Sequence, residues 1–179
     1  MKACSTTAQV IHVDDRNHRP SRFRLGGATV TTLFDGWFQR PLAGFIRNAE
    51  LADVQAAAEQ AGIAVDPFRI PYSVTMVQAG GRTVLFDAGT GGQLAPTGGW
   101  MFANMRAAGV TPEQVTHVVH SHFHADHISG LTTRENAVVF PNAEILVPEP
   151  EWRFWTDEGA ASRAPEAMRP AFAGVARRF

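Results

Sequence analysis

The sequence predicts an α/β domain, and two patterns carry that prediction. Short apolar runs flank Gly80-Gly81, which is the pattern of a β-hairpin. Further along, a helix-start pattern leads into the β-branched run 116–121, which is apolar enough for a buried strand and ends in a polar loop. A chain of 179 residues with 45% hydrophobic composition can build one core, so a single domain is expected.

The beginning of the chain predicts little regular structure. Residues 1–25 mix polar and charged side chains without periodicity, which predicts a loosely ordered N-terminal arm before a domain over 26–179. Apolar and polar residues then alternate over 28–34, as in a strand, and Asp35-Gly36 predicts a turn after it.

Capping residues and apolar spacing locate the later elements. Asn48 is a preferred capping residue before a helical pattern that Gly62 ends, and Thr111 and Gln114 form a capping-box pair. Pro170 predicts a kink in the last helix. The predicted elements are a helix over 49–61, strands over 73–79 and 82–87, a helix over 99–108, strands over 116–121 and 144–147, and helices over 150–157 and 165–179.

Charge and cysteine content exclude several classes of partner. The 16 basic and 17 acidic residues give a net charge of −1, which offers no electrostatic footprint for nucleic acid or an anionic membrane and favours a small-molecule substrate. The single Cys4 excludes an internal disulfide and a cysteine-based zinc site. Without a signal pattern or an apolar run of roughly 20 residues, we expect a cytoplasmic protein.

The loop after the predicted strand 116–121 carries the chemistry. His122, His124, Asp126 and His127 place four ligand-type side chains within six residues, and imidazole with carboxylate suits zinc and related divalent metals. Alternate residues of an extended segment point the same way, so the first two can converge on one ion while the last two turn toward a second. The alternative is a solvated, histidine-rich loop. We expect His117 and His120, which lie in the strand, to be core or supporting groups bonded to backbone.

The pattern His122-x-His124-x-Asp126-His127 resembles the metal-binding motif of the metallo-β-lactamase fold superfamily. Four further segments, 85–92, 107–109, 112–115 and 140–143, resemble the methyl parathion hydrolase and quorum-quenching lactonase branch of that superfamily. The resemblance runs from about residue 29 to the end. It implies an αββα sandwich, of which this chain carries the N-terminal half as one mixed β-sheet with flanking helices.

The resemblance also implies a function and roles for residues. A hydrolase of this kind uses two Zn²⁺ ions and a metal-activated hydroxide on a lactone, ester or organophosphate. The metal would be bound by His122, His124, Asp126 and His127. Asp126 would also orient the hydroxide and move a proton. Asp87 would be a carboxylate that supports the ligands. Thioester hydrolysis of the glyoxalase II kind, persulfide oxidation and β-lactam opening are alternatives within the superfamily.

The sequence departs from the family pattern after His127. The family completes its site with a further His, a bridging Asp and a last His, none of which follows here. The alternative is therefore an inactive half-domain that needs a partner or a missing C-terminal half, with an exposed sheet face that a homo-oligomer could cover. The carboxylates outside the motif are predicted to be solvated surface: Glu144, Glu149, Glu151, Asp157, Glu158 and Glu166.

Overall fold

A computed structural model describes residues 19–179. The strands are β1 (Ser21–Leu25), β2 (Ala28–Gln39), β3 (Arg69–Ala79), β4 (Arg82–Phe86), β5 (His117–Val119) and β6 (Glu144–Leu146). The α-helices are α1 (Leu51–Gln60), α2 (Met101–Ala107), α3 (Ala125–Ile128), α4 (Glu149–Trp155), α5 (Glu158–Arg163) and α6 (Arg169–Ala176), with short 3-10 turns at Pro112–Gln114, Ser129–Leu131 and Glu166–Met168. Among these helices, none has the length and apolar character that crossing a bilayer requires.

The strands of the described residues form one mixed sheet in the order β1-β2-β3-β4-β5-β6. The pairs β1/β2 and β3/β4 are antiparallel, whereas β4/β5 and β5/β6 are parallel. The predicted α/β class with one mixed sheet and flanking helices is confirmed. Strand β1 lies inside the predicted loosely ordered arm, and Ser21–Leu25 pairs there with the start of β2. The predictions for residues 1–18, including Cys4, fall outside the described residues.

Contacts between residues divide the described chain into two compact units. The smaller covers residues 39–70 and contains α1, which begins at Leu51 after Glu50 rather than after the predicted cap Asn48. In the same unit the rings of Phe45 and Phe68 lie 5.2 Å apart. The larger unit covers residues 19–38 and 71–179 and contains the histidine loop.

Strand alternation separates the two faces of the sheet in the larger unit. Leu85 and Val118 are fully buried and pack in one core with residues of α2 and α6, among them Met105 and Val175. Residues of the opposite face are more exposed, because Phe86 keeps 46% and Leu146 keeps 41% of its surface accessible. Coverage of this face by a partner or a second copy stays a prediction.

Strand β2 continues through the predicted turn at Asp35-Gly36, so that prediction is wrong. Asp35 is fully buried, and its carboxylate accepts hydrogen bonds from Thr90 N and Thr90 Oγ1, both at 2.7 Å, and from Met101 N at 3.0 Å. Gly36 has φ +117°, and a Cβ there would meet Thr97 O at 1.9 Å. The dipeptide thus joins β2 to the loop after β4 and to the start of α2, a long-range role that turn propensity does not reveal.

The C-terminal segment is divided where one kinked helix was predicted. A 3-10 turn at Glu166–Met168 precedes α6, and Pro170 lies in the first turn of that helix instead of kinking it. This position suits proline, since the first-turn N–H groups have no helical partner. Phe172 and Val175 of α6 are buried.

Candidate metal centre

The histidine loop joins β5 to α3 and is fixed at both ends by backbone hydrogen bonds. At its start His120 N donates to Leu146 O at 2.8 Å, and at its end Ala88 N donates to His127 O at 2.7 Å. A Cβ added to Gly130 would lie 1.9 Å from Ala88 O, so the loops after β4 and β5 approach as closely as backbone allows. The site therefore lies at the carboxyl ends of two parallel strands, where α/β proteins place chemistry.

His122 and His124 form a first pair of donors. Their Nε2 and Nδ1 atoms lie 3.0 Å apart, and their ring centroids are separated by 4.6 Å. Two nitrogen ligands of one tetrahedral zinc ion lie ~3.3 Å apart, given Zn–N bonds of about 2.0 Å. The pair thus has nearly the separation that one ion requires.

Asp126 and His127 form a second pair at the start of α3. Asp126 Oδ2 and His127 Nε2 lie 3.4 Å apart. The ring of His127 lies 3.9 Å from the ring of His122, measured between centroids, so the two pairs are adjacent. The structure thus brings together all four side chains that the sequence predicted as ligands.

Asp87 connects this group to strand β4. Its Oδ1 accepts from Ser121 N and its Oδ2 accepts from Ser121 Oγ, each at 2.8 Å. Oδ2 also lies 2.8 Å from His127 Nδ1. Because Asp87 binds Nδ1 of His127, Nε2 is the nitrogen that could bind a metal. A carboxylate commonly orients a metal-ligating histidine in this way.

The charges of the site act on one another through these contacts. The Asp126 carboxylate, followed by Asp87, raises the pKa of His127 to about 9. Burial alone would raise the pKa of Asp87, but the His120 and His127 imidazoles and Ser121 hold it far below its usual value. Burial, then the neighbouring histidines, lowers the pKa of His122. The hydrogen-bonding partner His127 lowers the pKa of Asp126 against the opposing effect of burial.

The two strand histidines lie outside the donor pairs. His117 Nδ1 lies 2.8 Å from Thr116 Oγ1, and its other nitrogen lies 3.7 Å from Glu144. His120 is 2% exposed, and neither ring nitrogen has a hydrogen-bond partner within residues 19–179; its Nδ1 is 3.6 Å from Asp87 Oδ1. The expected backbone bond to the His120 ring is therefore wrong, since the ring packs against Phe123 and Phe179 instead.

The donor set fits zinc in type and in pairwise spacing. Imidazole nitrogen and carboxylate oxygen are both zinc ligands. Within residues 19–179, however, no group of three or more His, Cys, Asp or Glu side chains converges around one point. Each pair would give an ion two protein ligands, whereas catalytic zinc normally has three and a water.

Sequence reasoning missed one carboxylate beside this loop. Glu151 was predicted to be solvated surface, but its Oε2 accepts hydrogen bonds from Phe123 N at 2.8 Å and from Trp155 Nε1 at 3.0 Å. The prediction for Glu151 is wrong because its partner amide lies 28 residues away in the chain, and no local pattern indicates it.

We expect Asp87→Asn to weaken zinc binding by about 10- to 100-fold, the usual consequence of losing a carboxylate behind a metal-ligating histidine. The asparagine amide would no longer hold His127 Nδ1 as a charged acceptor does. Isothermal titration with zinc gives the affinity, and ¹⁵N NMR of the metal-free chain gives the ring tautomer of His127. Unchanged affinity together with an unchanged tautomer would contradict a supporting role for Asp87.

Comparisons with known proteins agree on one family. The model of the metallo-beta-lactamase superfamily matches residues 68–176, which is more than half of the chain. A curated relative, Metallo-beta-lactamase domain-containing protein 1 of Xenopus laevis, is 36% identical in an alignment of 92 residues that covers 49% of this chain and 33% of that protein.

Solved structures share the fold at low sequence identity. The hydrolase AbOPH of the beta lactamase superfamily aligns with a TM-score of 0.83 and 21% identity over 91% of this chain and 57% of that one. AidC, a dizinc quorum-quenching lactonase, aligns with a TM-score of 0.77 and 21% identity over 89% of this chain and 60% of that one. The chain thus spans less than two thirds of the length of each of these relatives. With the family model covering strands β3 to β6 and the histidine loop, the chain belongs to the metallo-β-lactamase superfamily.

Proposed function

We propose that this chain carries the metal-binding loop of a metal-dependent hydrolase that acts on a lactone, ester or organophosphate. Two adjacent pairs of donor atoms support this proposal most directly. His122 Nε2 and His124 Nδ1 lie 3.0 Å apart, and Asp126 Oδ2 and His127 Nε2 lie 3.4 Å apart. In a solvated, histidine-rich loop without a ligand, donors at the spacing of metal ligands beside a supporting carboxylate would not be expected.

This proposal assigns a role to each residue of the loop. His122 and His124 would hold one Zn²⁺ ion, and Asp126 and His127 would hold a second. The chemistry that bound zinc supplies is a water molecule of lowered pKa and polarisation of the oxygen under attack. The Asp126 carboxylate would orient a water molecule and carry a proton toward the leaving group. Asp87 keeps His127 in the tautomer that presents Nε2.

The segments that resemble the lactonase and methyl parathion hydrolase branch support this substrate class. AidC, whose structure contains a product described as N-hexnoyl-L-homoserine, supports it as well. Because net charge is near zero, an uncharged and compact substrate suits the chain best. We place this activity in the cytoplasm, in keeping with a sequence that offers no disulfide framework.

The test is hydrolysis by the zinc-loaded chain of an N-acyl-homoserine lactone, an aryl ester, a phosphotriester and a glutathione thioester. We expect lactone, ester or triester turnover that a chelator removes and added zinc restores. The control is the double variant His122→Ala/His124→Ala, which should not turn over. Preference for the thioester would replace this proposal with the glyoxalase II-like alternative.

A second candidate is an inactive half-domain, because each donor pair would give an ion only two protein ligands. Bound zinc without turnover of any of the four substrates would support it. Analytical ultracentrifugation then tests whether a second copy covers the sheet face that carries Phe86 and Leu146, since Phe86→Lys should dissociate such a dimer.

A further inference from the structure

The backbone on both sides of His122 is held by carboxylates from two different elements. Ser121 N donates to Asp87 Oδ1, and Phe123 N donates to Glu151 Oε2, each at 2.8 Å. Between the end of β5 and the start of α3 the loop is neither helix nor strand, so these amides have no regular backbone partner. The two carboxylates therefore fix the peptide units that flank the first predicted ligand.

Glu151 is itself fixed by the packing of α4. The oxygen that accepts from Phe123 N also accepts from Trp155 Nε1, one helical turn further along, at 3.0 Å. Trp155 is 8% exposed, and its ring lies 4.7 Å from the ring of Phe172 in α6. The carboxylate thus presents a rigid acceptor to the loop.

Phe123 transmits this constraint to both neighbouring histidines. Its side chain is 1% exposed and stacks on Phe179 with ring centroids 4.7 Å apart. In an extended segment an inward side chain directs the residues before and after it to the opposite side. Fixing the amide and ring of Phe123 therefore fixes His122 and His124 as a pair, with their nitrogens 3.0 Å apart.

We propose that Glu151 is a positioning residue that holds the His122–His124 pair in metal-binding geometry through the Phe123 amide. The inference rests on the proposed function, because it gives Glu151 a task only if the pair binds metal. An ionised acceptor makes a hydrogen bond about twice as strong as a neutral one. Losing such an outer partner typically lowers metal affinity by 10- to 100-fold.

The test compares four variants of the full chain with wild type. Glu151→Ala removes the acceptor, and Glu151→Gln keeps an oxygen but removes the charge. Glu149→Ala is the matched control, because Glu149 lies on the same helix, is 71% exposed and pairs only with Arg153 among the described ion pairs. Trp155→Phe removes the second donor to Glu151 and perturbs the packing of α4 while leaving the Phe123 bond possible.

Two readouts are measured. Competition with a chromophoric chelator gives zinc affinity, and hydrogen exchange by NMR gives the protection of the Phe123 amide in the metal-free chain. We expect Glu151→Ala to weaken zinc binding by about 10- to 100-fold and to lose Phe123 protection. Glu151→Gln should lie between Glu151→Ala and wild type in both readouts. Glu149→Ala should stay near wild type in zinc affinity, and Trp155→Phe should lose less affinity than Glu151→Ala.

The outcomes separate this inference from the proposed function. Wild type that binds no zinc contradicts both the proposed function and the role given to Glu151. If wild type binds zinc but Glu151→Ala binds it equally well, only the role of Glu151 is overturned. An equal loss of affinity in Trp155→Phe also overturns it, because the effect would then come from the packing of α4.

Discussion

Replacing Asp126 with asparagine is expected to lower kcat/KM of the zinc-loaded chain by about 10²- to 10⁴-fold, the range that a positioned acid–base group contributes. The change keeps the shape of the side chain and removes its charge. Asparagine is a poorer zinc ligand and cannot take up a proton, so both tasks proposed for Asp126 fail together. The variant should also bind about one zinc ion fewer, because a neutral amide would replace the carboxylate whose oxygen lies 3.4 Å from His127 Nε2.

Steady-state kinetics and metal analysis of the dialysed protein measure the two effects separately. Asp53→Asn on α1 is the control, because Asp53 is exposed and should affect neither. If Asp126→Asn keeps full zinc content and full activity, the carboxylate is neither ligand nor proton carrier. If it keeps activity but loses zinc, the mechanism proposed for the residue is wrong although the ligand role survives.

The second large effect is expected on stability, at Asp35. Replacing it with alanine removes the acceptor for three groups, Thr90 N, Thr90 Oγ1 and Met101 N. A buried donor left without a partner costs about 1 to 3 kcal/mol, so the free energy of unfolding should fall by about 3 kcal/mol or more. Urea unfolding followed by circular dichroism measures the change. A loss no larger than that in Asp53→Ala would show that the carboxylate does not join β2 to the loop after β4.

The effect of Asp35 should also depend on pH. Burial raises the pKa of this carboxyl above its ordinary value of 3.8, in opposition to the hydrogen bonds from Thr90 and Met101. The folded chain therefore holds a proton here more tightly than the unfolded chain, and this contribution to stability is lost as pH rises from 3.8 through the folded pKa. We expect wild type to gain stability relative to Asp35→Ala as pH falls across that window. The opposite trend would mean that hydrogen bonding outweighs burial.

The pairing of side chains in the histidine loop could be predicted from sequence because its ligand-type residues are adjacent in the chain. Local geometry decides the pairing, since alternation in an extended segment puts His122 beside His124. Asp87 could be predicted from the resemblance of segment 85–92, and the structure brings it to the loop because strands β4 and β5 are parallel and their carboxyl ends meet at one edge of the sheet. These predictions needed little knowledge of tertiary structure.

Asp35 and Glu151 could not be assigned in this way. Asp35 precedes a glycine, which predicts a turn, and Glu151 lies in a helix whose acidic residues usually face solvent. Each carboxylate accepts hydrogen bonds from backbone N–H groups of distant segments. Every residue except proline has such an N–H group, so the sequence does not indicate which one is the partner. Carboxylates that bind backbone amides across the fold are therefore what sequence reasoning overlooked here.

The most direct test of the account is a zinc titration of the full chain by equilibrium dialysis with metal analysis, repeated for two double variants. We expect wild type to bind up to two zinc ions. The variant His122→Ala/His124→Ala should lose one of them, and Asp126→Ala/His127→Ala should lose the other. Zinc uptake that is absent in wild type, or equal in wild type and both variants, would contradict it.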